Sequence, residues 1–135
     1  MSRKERYGIY AETDKPFEAA LQAMRDALQA NGFGVLWEID VKATMKQKLG
    51  KKFTDYVILG ACNPPIAHQA LCAEPNIGLL LPCNCIVRRE GGKTILGAVE
   101  PHELMALTGR TDLKPFADKV AAMLERIVGE AARRS

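Results

Sequence analysis

Two apolar runs, "GLLLPCNCIVRRE" and "KTILGAVEP", meet at Gly91-Gly92, and that junction constrains the fold more than any other feature of the chain. A two-residue turn of glycines tolerates positive φ and joins its strands antiparallel. A sheet containing this hairpin is therefore not a uniformly parallel, doubly wound one, whose strands need long crossovers. Pro82 lacks a ladder donor, so it belongs at an edge or a bulge of its run.

Upstream, strand and helix periods alternate. "YGIYAET" reads as a first strand, with Thr13 or Asp14 placed to cap a helix over residues 15–30. Phe17, Leu21, Met24 and Leu28 recur there at helical spacing, Pro16 falls in the first turn, and Asn31-Gly32 suits a left-handed stop. "VLWEID" alternates Val35, Trp37 and Ile39 with Leu36, Glu38 and Asp40, the period of a half-buried strand. "VKATMKQKLGKK" predicts a short helix with Val41, Met45 and Leu49 on one side, ending near Gly50. "FTDYVILGAC" carries a continuous apolar run and is expected as a central strand covered on both faces. Asn63 as N-cap and Pro64 at the first helical position open a helix that closes before Pro75. "PHELMALTG" and residues 113–132 supply the last helices. The order is roughly βαβαβαββα. It predicts an α+β fold, a single mixed sheet with packed helices, ending in an antiparallel hairpin and a C-terminal helix.

At 135 residues the chain suits one domain, with residues 1–6 expected as a flexible tail. Trp37 is the only tryptophan, so the core must be mainly aliphatic. A formal charge of +3 is too small to indicate a nucleic-acid partner. No window reaches about 18 consecutive apolar residues, and "IGLLLPCNCIV" is broken by Pro82 and Asn84, so no membrane partner is expected. The charged start "MSRKERYGIY" resembles no signal peptide. The expectation is a soluble cytoplasmic protein whose four cysteines stay reduced.

Three spaced motifs then carry a family resemblance. Gly32-Phe33, Ile39-Asp40 and Lys48-Leu49-Gly50 form the first, Ala61 to Pro64 the second, and Leu80 to Asn84 the third. In this order, over nearly the whole chain, they resemble the family known as Domain of Unknown Function 302. The resemblance implies a compact α+β domain and a homodimer, and it implies no activity.

The candidate site grows from the two Cys-Asn pairs. In an extended strand Cys83 and Cys85 share a face with Cα atoms roughly 6.5 Å apart, too far for a bridge that needs Cβ atoms near 4 Å. Cys62 ends a strand just before a helix N-terminus, where free N–H groups favour a thiolate. If the third strand pairs with the strand of Leu81 to Val87, Cys62 faces Cys83, and Asn63 and Asn84 add amides at the same sheet end. The expected site is thus Cys62, Asn63, Pro82, Cys83 and Asn84, in a small ligand-binding or regulatory module for a small molecule. A rival reading makes Cys62 or Cys83 the catalytic thiolate of an enzyme or redox protein. The plainest reading makes the cysteines small core hydrophobes.

Other chemistry is thinner. Lys42, Lys46, Lys48, Lys51 and Lys52 could hold an anion or phosphate, or simply form a solvated helix face, with Asp40 and Asp55 flanking them. Metal donors exist in Cys62, His68, Cys72, Cys83, Cys85 and His102, but no C-x-x-C spacing joins them and no metal site is assigned. No cofactor is assigned either, because G-x-S-x-G, P-loop and G-x-G-x-x-G motifs are absent. His102, beside Glu100 and Glu103, reads as a surface histidine at a helix start or as an acid or base.

Overall fold

The hairpin expected around Gly91-Gly92 is present in the computed structural model, which describes residues 2–133. Strand β5 (Cys83–Glu90) and strand β6 (Lys93–Val99) pair antiparallel, with Gly91 at φ +58°. The other elements are β1 (Arg3–Glu5), β2 (Gly8–Thr13), α1 (Phe17–Ala30), β3 (Gly34–Asp40), α2 (Val41–Leu49), β4 (Tyr56–Cys62), α3 (Pro64–Ala73), a 3-10 helix (Pro75–Leu80), α4 (Pro101–Ala106) and α5 (Lys114–Arg133).

The α+β class holds, with one sheet, a terminal hairpin and a C-terminal helix. The sheet has six strands in the order β1-β2-β6-β5-β4-β3. Every neighbouring pair is antiparallel, so the expected mixed sheet is corrected to an all-antiparallel one. The reason lies in the connections. Helix α1 carries the chain from β2 to β3 across the whole width of the sheet, so the one βαβ crossover joins strands that are not neighbours. Helices α2 and α3 each lie between strands that pair antiparallel.

Several local expectations shift. The segment expected as a tail contains β1, which pairs with β2 through a turn at Arg6, φ +57°. All its residues are exposed and charged, which hides the strand from periodicity and suits a sheet edge. Helix α1 is capped by Pro16 with no side-chain bond, while the Thr13 hydroxyl accepts from the Lys15 N–H. Gly32, at φ +82°, takes the left-handed position, and Asn31 does not. Residues 78–80, expected as strand, belong to the 3-10 helix, and β5 starts only after the cis Leu81–Pro82 peptide. The caps at Asn63, which accepts from the Ile66 N–H at 3.3 Å, and at Gly50 form as expected.

Helices α1 and α5 pack together and cover one face of the sheet. Ile9, Leu59, Cys85, Val87 and Leu96 from the strands meet Met24, Leu28, Leu124 and Ile127 from the helices in the main core. Each such aliphatic side chain contributes about 1.5–3 kcal/mol by leaving water. Arg25 of α1 ties the sheet edge down through a two-pronged bond to Glu38 of β3, with both contacts at 2.7 Å. A second, smaller cluster of Ala70, Ile77 and Leu113 lies beneath α3 and the 3-10 helix. Among the described residues, no helix is long and apolar enough to cross a membrane.

Candidate functional site

The two cores do not merge, and the seam between them is a pocket of about 280 Å³. The sheet end contributes Ala61 and Cys83, α3 gives Ile66 and Ala70, and α5 gives Phe116 and Val120. Phe116 packs against both clusters and so forms the wall where they meet. Arg110 lies outside this lining and holds α3 in place. It donates to the Ala73 carbonyl at the end of α3 and pairs with Glu74 at 2.9 Å, fixing the loop before α5 to that helix. A buried carbonyl at a helix C-terminus needs such a donor.

Four of the five expected site residues line this pocket: Cys62, Asn63, Pro82 and Cys83. The strand pairing that the expectation required is present, but its register puts Ala61, not Cys62, opposite Cys83. Cys62 reaches the pocket from the last position of β4, where it pairs with Gly34 and precedes the Asn63 helix cap. Asn84 is not brought in. It pairs with Gly60 and lines a depression on the opposite face of the sheet. Neighbours in a strand point to opposite faces, which turns Asn84 away from the face that Cys83 lines.

The thiols differ in environment. Cys83 is pushed up to about 11, mainly by burial and further by the nearby Cys62 sulfur. Its thiol is therefore protonated at neutral pH and not an activated nucleophile. Cys85 is fully buried, and burial raises it further still. It pairs with Leu59 and Ala98 as an ordinary core residue. All four cysteines are free, and only Cys72 is exposed. Alkylation with iodoacetamide at pH 7.5, read by peptide mass spectrometry, should modify Cys72 first, Cys83 slowly and Cys85 only on unfolding. The Cys83 rate should keep rising toward pH 11. Rapid Cys83 labelling at pH 7.5 would contradict its burial.

The remaining candidates lie apart. Among the described residues no group of three or more His, Cys, Asp or Glu gathers to hold a metal. His68 and Cys72 share an exposed face of α3 at 3.8 Å, away from the other donors. The lysines of α2 and the following segment are exposed, and Lys42 pairs with Asp55 at 3.2 Å. His102 is gripped by Glu100 at 2.7 Å and Asp118 at 2.6 Å; Glu103 plays no part in that grip. Asp118 belongs to α5, a partner sixteen residues away that local spacing could not reveal.

The pocket's other wall was missed by sequence reasoning. Phe116 and Val120 read as part of the amphipathic stripe of α5, and Ile66 and Ala70 as the inner face of α3. Such spacing marks a buried face without showing whether it is filled.

A helix-covered antiparallel sheet with an apolar pocket at its seam defines a small α+β domain. A family model, described as Domain of unknown function DUF302, matches residues 9–131. The chain belongs to that family. Its fold is similar to the crystal structure of an uncharacterized conserved DUF302 protein from Bacillus stearothermophilus, at TM-score 0.89 and 28% identity. The match covers 96% of this chain and 100% of that one. Comparison with curated proteins gives no match.

Proposed function

We propose that the domain is a binding module for a small, uncharged, largely apolar molecule held in the seam pocket. The supporting observation is the lining itself: about 280 Å³ walled by Ile, Ala, Leu, Phe, Val and Met side chains, with Asn63 and two thiols as its only polar side chains. The size lies close to the lower end of the range for small-molecule sites, about 300–1,000 Å³. A charged ligand would leave water without meeting an opposite charge, which costs several kcal/mol. Asn63 and the protonated Cys83 sit at the sheet end, where they can orient one polar group of an otherwise apolar guest.

Titration with the neutral probe N-phenyl-1-naphthylamine tests this. The expected result is saturable fluorescence enhancement that weakens at least about tenfold in Ala67→Trp. Ala67 is a half-buried pocket residue on α3, and tryptophan there fills the space. No saturable binding, or equal binding by a folded Ala67→Trp variant, would overturn the reading.

A further inference from the structure

Asn84, which the seam pocket leaves out, opens onto a larger cavity on the other face of the sheet, with a volume of about 520 Å³. That size lies within the range of about 300–1,000 Å³ for small-molecule sites. Glycine creates the space. On this face β6 presents Ile95, Gly97 and Val99 in turn, so the middle of the strand is a gap. The Tyr10 ring lies down across that gap, and a Cβ on Gly97 would stand 3.0 Å from it. Gly8, two residues before Tyr10 in β2, leaves room for the far end of the same ring. A tyrosine that would otherwise stand upright thus becomes a floor, continued by Ile86, the partner of Gly97 in β5. Arg3, 5.7 Å from the centre of the Tyr10 ring, bounds the floor on the β1 side, and Tyr56 bounds it on the β4 side.

Uncommitted polar groups gather at one end of this trough. Gly8 pairs with Val99, and Asn84 precedes Cys85, the partner of Ala98, so the β1-β2 turn and Asn84 flank the same end of β6. The turn is a two-residue loop of Arg6 and Tyr7, in which Arg6 takes φ +57°. Glycine, asparagine or aspartate usually fills such a position, and strain of this kind persists where the side chain is needed. The Arg6 side chain lines the cavity and, among the described residues, forms no ion pair. The other two arginines of the lining are engaged, Arg3 with Glu5 at 3.5 Å and Arg88 with Glu90 at 2.8 Å. One full positive charge is left over, beside the exposed amide of Asn84.

We infer that this cavity is a second binding site, taking a small carboxylate with a planar apolar body. A single negative charge matches the one unpaired guanidinium, which can meet a carboxylate through two parallel N–H···O bonds. A phosphate dianion would need a second free cation, and Arg3 and Arg88 are already neutralised. The flat floor of Tyr10 and Ile86 suits an aromatic body, which gains by stacking on a ring. This ligand is the opposite of the uncharged guest proposed for the seam pocket, and it lies on the other face of the sheet.

Fluorescence anisotropy of 2-naphthoate, titrated with the full chain at neutral pH, tests the assignment. The expected result is saturable binding, with the uncharged analogue 2-naphthamide at least about tenfold weaker. Arg6→Gly should also bind 2-naphthoate at least about tenfold more weakly. Its melting temperature should stay level or rise, because glycine takes positive φ without strain. Ala67→Trp, which fills the seam pocket, should leave 2-naphthoate binding unchanged. No saturable binding of 2-naphthoate, or equal affinity in Arg6→Gly, would overturn the inference. So would loss of binding in Ala67→Trp, which would place the naphthoate in the seam pocket instead.

Discussion

Leu96→Ala should lower the unfolding free energy by about 2–5 kcal/mol, the range for a fully buried leucine whose surroundings relax only in part. Leu96 is completely buried in β6, paired between Ala11 and Val87. Helix α5 packs over β2 and β6, so the cavity opens where sheet and helix layers meet. Urea unfolding is the measurement, with the midpoint falling and the slope unchanged. Leu79→Ala is the comparison, because Leu79 is 89% exposed and should change stability by no more than about 0.5 kcal/mol. Equal losses for the two variants would mean that Leu96 does not sit in the core described here.

His102→Leu should destabilise the domain by about 2–4 kcal/mol near pH 6, the scale for stripping a buried charge of its partner. The Glu100 side chain is only 8% exposed, and its carboxylate is held by the His102 ring. Asp118 first, and then Glu100, hold the His102 pKa above its ordinary value of 6.5. A raised folded-state pKa gives stability that is complete below pH 6.5 and is lost as pH rises through the folded value. The gap between wild type and His102→Leu should therefore be widest near pH 6 and narrow as the solution becomes more alkaline. Adding Glu100→Leu to His102→Leu should recover much of the loss, since the stranded carboxylate is removed. Thermal melts at several pH values decide the matter. Coincident melts of wild type and His102→Leu at pH 6 would show that the triad carries no stability.

Most elements of the fold were legible because their signals are local. The Gly91-Gly92 turn, the Asn63 cap before Pro64 and the left-handed Gly50 all depend on residues a few positions apart. The amphipathic stripes of α1 and α5 are equally local, and both helices formed near their expected bounds. What escaped was β1, whose charged residues have no apolar period, and the 3-10 helix, whose "GLLL" reads equally well as strand. "VLWEID" forms a strand, as its alternation predicts, but in the sheet that strand is an exposed edge and not a half-buried one. Alternation reports two different faces, not which of them a helix will cover.

The cysteine motifs show the same division. Their chemistry and their proximity to a helix start are visible in the order of residues, but the expectation placed Cys83 and Asn84 in one site and the structure separates them. The register that sets Ala61 opposite Cys83 is not visible there, because a one-residue slip leaves every local propensity unchanged while exchanging the faces. By itself the sequence determined the strand and helix periods, the turns and caps, and the α+β class. Only the tertiary structure decided that α1 crosses the whole sheet, that two separate cores leave a pocket at their seam, and that burial keeps Cys83 protonated. Each of those depends on contacts between segments distant in the chain, where packing, not propensity, selects the arrangement.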